Sequence, residues 1–307
     1  MLINQVSKTT GLTKKAIEYY TLQGLISPSI LENGYRDYSE NDIEILNKIS
    51  VLRKLNLGTD EIRTVLSDKS NTALQAISVK KELDFQRKAV KNTILSKLGS
   101  GKSYFEISTE LQVLDHNKTI TEKLWEAFPG YYGRFICLHF ARFLYEPIKT
   151  EIQQAAYETI ISFLDNVPSF DLPEELQEYL IEGTRHIGTE QMKDMIESTK
   201  KFIENPDDFL AANKEMLEQY LEFKQSDEYK NSQAYKSMEM LKAFNRTSGY
   251  YDIFIPALKQ LSSSYTEYCR QMETANEKML VQYPEISKMD SKDNRSKYHE
   301  VVKLGFI

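Results

Sequence analysis

Apolar residues recur along this chain at steps of three and four, the spacing that lines one face of an α-helix. At the start the helices are short and closely punctuated by Gly11, Gly24, Gly34 and Gly58. Ile3 and Val6 open a first helix, which Gly11-Leu12 breaks. Thr13 is placed to cap a second, from Lys14 to about Thr21, because its hydroxyl can accept a free N–H of the first turn. Ile17 and Tyr20 share one face of that helix, and Lys14 and Lys15 stand in its exposed first turn. Two short helices joined by a glycine turn, with basic residues leading the second, form the helix-turn-helix pattern. Its second helix can enter the major groove of DNA.

Asn33-Gly34 then gives the strongest short hairpin signal, since both positions tolerate positive φ. In the strand that follows, Arg36 and Tyr38 fall on the same face, which predicts a wing whose Arg and Tyr touch the sugar-phosphate backbone. Ser39-Glu40-Asn41-Asp42 resembles a capping box, with Asp42 in place of the usual Glu, ahead of Ile43, Leu46, Ile49 and Leu52. Thr59-Asp60-Glu61 caps another helix carrying Ile62, Val65 and Leu66.

No glycine falls between Gly58 and Gly99, so one helix can run from Asn71 or Thr72 to about Leu98. Ala76, Val79, Leu83, Val90, Ile94 and Leu98 form a stripe along it, interrupted by Gln86, which reads as a short coiled-coil seam. The alternative is a helix that packs on its own body. Beyond it the pattern predicts helices over 103–115, 119–128, 131–145, 148–165, 173–186, 189–204, 206–224, 228–245 and 250–282. Residues 283–307 read as an appended tail that ends in Val301, Val302, Leu304, Phe306 and Ile307 and docks back onto the body. The expected fold is mainly α in three parts. Residues 1–70 form a winged helix-turn-helix with a small β-hairpin, 71–98 a dimerisation helix, and 99–307 a large all-helical domain.

Charge sharpens this division. The 307 residues carry a net −6, but 1–70 hold nine basic and nine acidic side chains, 71–98 are net +4, and the remainder is net −10. Of the 34 aromatic residues only Tyr19, Tyr20, Tyr35, Tyr38 and Phe85 precede residue 99. A neutral head must bind DNA through locally placed cations, Lys14, Lys15, Arg36, Arg53 and Lys54, and through two heads acting together. No apolar run suits a membrane span and the first residues are not a secretory signal. Cys137 and Cys269 alone support neither a disulfide framework nor a zinc cluster. These features point to a cytoplasmic protein.

The run from Ile3 to Leu66 resembles the winged helix-turn-helix domain of the MerR family of bacterial transcriptional regulators. The likeness rests on Thr10-Gly11-Leu12-Thr13-Lys14-Lys15, Ile17, Tyr19-Tyr20, Gly24-Leu25-Ile26, Asn33-Gly34-Tyr35-Arg36, Tyr38-Ser39 and the stretch from Leu55 to Ile62. It covers about a fifth of the chain, and with the wing nominates Thr13, Lys14, Lys15, Tyr19, Tyr20, Arg36, Tyr38, Arg53 and Lys54 for DNA. Glu18 stands where the family usually has arginine. It either accepts from cytosine N4 or, as the simpler reading, pairs with Lys14 one turn away. The resemblance implies an antiparallel homodimer, here through Val79, Leu83, Val90 and Ile94. It also implies action on promoter DNA with RNA polymerase, bending and untwisting the duplex so that over-spaced promoter elements come into register. Family members that sense metals or redox carry cysteines near the end of this helix; none occurs from Leu74 to Leu124, which argues against a thiolate sensor.

In the body, Gly130-Tyr131-Tyr132-Gly133-Arg134-Phe135-Ile136 recurs as Gly249-Tyr250-Tyr251-Asp252-Ile253-Phe254-Ile255, alike at five of seven positions. Tyrosine pairs at helix starts offer π-faces and hydroxyls, so Tyr131, Tyr132, Tyr250 and Tyr251, with Trp125, His139 and Asp252, are candidates to hold an aromatic or cationic small molecule. The alternative is that these are core aromatics, and that the body binds a protein partner instead. No phosphate loop, His-Glu-x-x-His or Gly-x-Ser-x-Gly motif occurs, and histidines 116, 139, 186 and 299 lack ligand spacing. The expectation is a regulator, not an enzyme, with no cofactor and no metal site.

Overall fold

The structure, a computed structural model, describes residues 1–128 and 130–286. It separates into two compact units, Met1–Ile77 and a second beginning at Ser78. Among the described residues no helix is long and apolar enough to cross a membrane. The proposed tail of 283–307 lies, past Ile286, outside the described residues.

The head is a winged helix-turn-helix. α1 (Ile3–Thr10) stops where Gly11 takes φ 69°, and α2 (Lys14–Leu22) begins as Ala16 N donates to Thr13 Oγ1 at 3.2 Å. β1 (Ser29–Ile30) pairs antiparallel with β2 (Arg36–Asp37) around Gly34 at φ 80°. α3 (Glu40–Lys54) has the predicted capping box: Asp42 Oδ2 accepts from Ser39 N at 2.9 Å, and Asp42 N donates to Ser39 Oγ at 3.1 Å. Asp42 also accepts from Ser27 N at 3.2 Å, which ties the approach to the hairpin to the helix start. α4 (Thr59–Ser67) is capped one residue earlier than its sequence suggests, because Glu61 takes the Gly58 N–H at 2.7 Å. Val6, Ile17, Leu46, Ile49 and Ile62 are sealed in the core.

α5 (Thr72–Gly99) starts over Asp68, whose carboxylate accepts from the N–H groups of Ser70 and Ala73, each at 2.8 Å. α6 (Tyr104–Ala127) folds back along it: Lys97 pairs with Glu110 at 2.8 Å, and Arg87 donates to Thr121 at 3.3 Å. The stripe of α5 is consumed by this return. Val79 and Leu83 lie in the main core of the body, and Ile94 packs with Ile107 and Leu114, flanked by Val90. That corrects the expectation that Val79, Leu83, Val90 and Ile94 form an intersubunit seam, because a face buried within the chain is no longer free for a second copy.

The body continues with α7 (Gly130–Ala141), α8 (Glu151–Asn166), α9 (Glu174–Gly183), α10 (Thr189–Glu204), α11 (Pro206–Ala212), α12 (Lys214–Gln225), α13 (Asp227–Lys230) and α14 (Gln233–Thr247). A π-helical turn over Tyr250–Phe254 leads into α15 (Ile255–Leu261) and α16 (Ser263–Gln282). Several boundaries differ from the sequence pattern: the expected helix 131–145 ends at Ala141, the expected helix 228–245 divides into α13 and α14, and three further differences have a visible cause. α6 runs unbroken through 115–119, since buried Asn117 donates to Ala141 O at 3.1 Å and so belongs to a helix contact rather than a turn. The expected helix 206–224 divides at Asn213, whose amide donates to Phe209 O at 2.8 Å. The expected helix 250–282 breaks again at Ser262, which takes extended backbone before α16.

Glu146 explains that last break. Its carboxylate accepts from Ser262 Oγ at 2.7 Å, Ser263 N at 3.0 Å and Ser264 N at 2.8 Å, filling the start of α16 where N–H groups have no helical acceptor. Partial burial by itself raises the carboxyl pKa, but the serine donors outweigh it and hold the group at about 2. A carboxyl depressed on folding stabilises above its ordinary value of 4.5 and loses that contribution as pH falls toward about 2. Glu146→Gln is therefore expected to cost about 1–3 kcal/mol at neutral pH and to flatten the acid limb of the stability curve between pH 4.5 and about 2, measured by urea unfolding across that range. A second expectation concerns Gly133, where a β-carbon would stand 1.4 Å from Phe128 O, inside its van der Waals radius. Gly133→Ala should lower body stability by about 3 kcal/mol or more, read from thermal melts, because backbone and not a flexible side chain must yield.

Candidate functional site

The head displays a set of cations at α2 and the hairpin. Lys14 and Lys15 are exposed on the first turn of α2, Thr13 is exposed at its cap, and Lys54 is exposed at the end of α3. Arg36 is half-buried on β2. None of these four basic residues has an ion-pair partner among the described residues. Glu18 is exposed and makes no ion pair with Lys14, so the simpler account of its charge does not hold in this structure. Arg53 is exposed but engaged: its Nη1 donates to Leu57 O at 2.9 Å and closes the end of α3.

The aromatic candidates separate. Tyr19 is 44% exposed, and its hydroxyl lies 3.1 Å from Thr59 Oγ1. Arg63 Nη2 donates to Gln23 O at 3.0 Å, so the end of α2 is held against α4. Tyr20 (5% exposed) and Tyr38 (2%) belong to the core of the head, which corrects their nomination as DNA contacts. The hairpin face shared by Arg36 and Tyr38 turns inward, leaving Tyr35 exposed on the other face. Tyr35 was legible in the same alternation, read with the opposite sense.

In the body the repeated motif has a structural meaning. Gly130 (φ 75°) and Gly249 (φ 86°) each hold a left-handed turn ahead of a tyrosine pair. Tyr132 and Tyr250 meet over Phe128, with ring centroids 5.7 Å and 6.5 Å from it, and Asn245 Nδ2 donates to Tyr132 Oη at 3.5 Å. Burial drives the Tyr132 and Tyr250 hydroxyls far above the ordinary tyrosine range, so both stay protonated. His139 is buried with its ring 4.9 Å from Phe140, 5.7 Å from Phe143 and 5.5 Å from Tyr268, as a core residue. Trp125 is half-buried with Lys80 Nζ 4.8 Å from its ring, and Asp252 is exposed. Tyr251 is half-buried, 5.2 Å from Tyr250. Of the seven nominated residues, Tyr250 lies in the main core of the body, and Trp125, Tyr131, Tyr132 and Tyr251 pack against it.

Two clefts open elsewhere in the body. One, of about 530 Å³, lies among α5, α7, α10 and α16 over Leu138, Arg142, Phe143, Ile196 and Tyr268. The other, of about 560 Å³, runs along α8 past Phe163, Ser248 and Ile253. Arg142 is positioned by Nε donating to His139 O at 3.2 Å and rests over the rings of Phe143 and Tyr268. Arg134, inside the tyrosine motif, was missed from sequence. It is 3% exposed, and its Nε and Nη2 have no hydrogen-bond partner among the described residues. Burial pushes its guanidinium pKa down. Among the described residues no group of three or more His, Cys, Asp or Glu is placed to hold a metal, and burial lifts the Cys137 thiol to about 12.

Comparison with known proteins places the head. Residues 1–69 match the model of the MerR HTH family regulatory proteins. The chain is 31% identical over 94 residues to heavy metal-dependent transcription regulator 2 of Rhizobium meliloti, an alignment covering 29% of this chain and 64% of that protein. It is 38% identical over 81 residues to the HTH-type transcriptional regulator CueR of Yersinia pestis, covering 26% and 58%. Against CueR of Vibrio cholerae it is 31% identical over 101 residues, covering 31% and 73%. The chain thus spans about three fifths of the length of the first two of these relatives. The exposed lysines of α2 and the hairpin wing lie within the residues that match the family model, and the chain belongs to the MerR family.

Proposed function

We propose that this protein is a ligand-responsive bacterial transcription regulator that binds promoter DNA as a homodimer in the cytoplasm. The observation that carries the reading is the head: a closed hydrophobic core that presents Lys14 and Lys15, without an ion-pair partner among the described residues, on the opening turn of α2. Lysines without an ion-pair partner among the described residues, on a helix end, are fit for phosphates or base edges, with the exposed Tyr35 of the wing set against the backbone. The relatives named above, all transcription regulators, support the same role rather than catalysis. Acting with RNA polymerase, the dimer bends and untwists its operator, a deformation costing about 1–6 kcal/mol that protein–DNA contacts offset.

The dimer reading now rests on other residues than the buried stripe. Phe85 and Leu95 on α5, and Tyr104, Phe105 and Leu111 on α6, are large apolar side chains left exposed in the single chain, Phe105 at 83%. Covering them with a second copy removes apolar surface from water. The effector of this reading is an aromatic or cationic small molecule taken up by the body. A protein partner docking there is the second reading, and a broad interface would replace the clefts as the responsive element.

Two measurements test these points. In gel shifts on the DNA upstream of its own gene, Lys15→Ala should weaken binding and reduce the slope of log affinity against log salt by about 0.9; no sequence-specific footprint by the native protein would refute the regulator. In light scattering after size exclusion, the native chain should be dimeric and Phe105→Glu should weaken association about tenfold or more. A native monomer would refute the dimer.

A further inference from the structure

The 530 Å³ cleft has a floor of Leu138, Phe143, Ile203 and Tyr268 and a rim on which Glu197, Glu204 and Glu267 are exposed. Most charges around it are already engaged. Lys193 pairs with Glu82 at 3.4 Å and Glu190 at 3.2 Å, and Glu267 is held by Arg270 at 2.6 Å. Arg142 is turned onto His139 O and the rings of Phe143 and Tyr268. Glu197 and Glu204, two turns apart on α10, share Lys200 at 3.7 Å and 4.0 Å, the outer limit of an ion pair. An apolar trough with two carboxylates to one lysine at its edge suits a segment that combines apolar side chains with positive charge.

The chain supplies such a segment at this place. Ile203 lines the cleft and also belongs to the cluster that holds Tyr283 and Ile286, so the last described residues pack on a surface that continues into the cleft. Residues 287–307 lie outside the described residues. Their sequence carries Lys288, Lys292, Arg295, Lys297 and Lys303 against Asp290, Asp293 and Glu300, a net +2, whereas 99–286 are net −12. Val301, Val302, Leu304, Phe306 and Ile307 gather its apolar side chains around Lys303. The reach is sufficient. From Gln282 back to Gln271, on the wall of the cleft, α16 covers about 17 Å. Residues 287–300 can extend to about 45 Å.

We propose that residues 287–307 return along α16 and occupy this cleft, with the apolar run 301–307 on its floor and Lys303 between Glu197 and Glu204. Covering the floor removes apolar surface from water, and the lysine gives the second rim carboxylate a partner. A tethered segment needs little affinity of its own, because the connecting residues hold it near the cleft at an effective concentration of about 1 mM or more. The assignment goes beyond the regulator reading and does not depend on it. Its consequence is that the cleft is filled by the chain itself, and a small molecule using the same space must displace residues 301–307.

The test replaces Phe306 by the photoreactive p-benzoylphenylalanine in the full chain and maps cross-links by mass spectrometry after irradiation. Mixing isotope-labelled with unlabelled copies separates links within one chain from links between two. The expected product is a link within one chain to Leu138, Ile196, Tyr268 or their neighbours on α7, α10 and α16. Glu197→Lys combined with Glu204→Lys should lower its yield about fivefold or more, because like charges then face Lys303. Both glutamates are exposed, so the fold tolerates the exchange. No cross-link, links confined to other surfaces, links only between copies, or a yield unchanged by the paired substitution would each overturn the proposal. Gel shifts of the native protein report on the regulator reading separately: failure to bind an operator refutes that reading and leaves the cross-link result standing.

Discussion

The five-fold hydrogen bonding of Glu146 at the start of α16 is the interaction around which the body is organised. Its oxygens take the hydroxyls of Ser262, Ser263 and Ser264 and the backbone N–H groups of Ser263 and Ser264. By satisfying those donors it sets where α15 stops and α16 begins. α16 then joins two cores: Tyr265 and Cys269 belong to the main cluster, and Met272, Ala275 and Met279 to the cluster with Phe202, Leu210 and Leu217. The 530 Å³ cleft depends on the same placement, since Ser264, Glu267, Tyr268 and Gln271 form one of its walls. A single carboxylate 116 residues away from its first serine partner thereby fixes the helix that closes the body.

The head solves the same problem with local means. Thr13, Ser39 with Asp42, and Glu61 each satisfy helix-start groups within a few residues, and Gly34 provides the left-handed turn of the hairpin. Local chemistry of this kind is readable from sequence, which is why the short helices and the wing emerged with nearly their true boundaries. The break at Ser262 did not, because Glu146 is distant in the chain and helical spacing continues across it. The split at Asn213 escaped notice for a related reason, since a side-chain amide bonding four residues back leaves no mark on the apolar pattern.

Facing was harder to read than existence. An amphipathic stripe shows that α5 buries one side but not against what, and its natural neighbour proved to be α6 of the same chain. Two-residue strands carry too little alternation to say which face turns inward, so Tyr38 and Tyr35 exchanged roles. The tyrosine motif was recognised as a repeat, and its two glycines do hold equivalent turns, yet Tyr132 and Tyr250 fill space against Phe128. Arg134 went unnoticed because a charge in a helical run is ordinarily solvated, and only the packing around it makes its position costly.

Trp125 is the sole tryptophan of the chain, and Lys80 of α5 rests 4.8 Å from its ring. An ammonium over an indole alters the energy of the excited state, so the ultraviolet emission of the whole molecule is set at one junction of α5 and α6. Any rotation of the long helix that carried the lysine off the ring would change the colour of that emission. The body therefore contains its own optical gauge of the contact between α5 and α6.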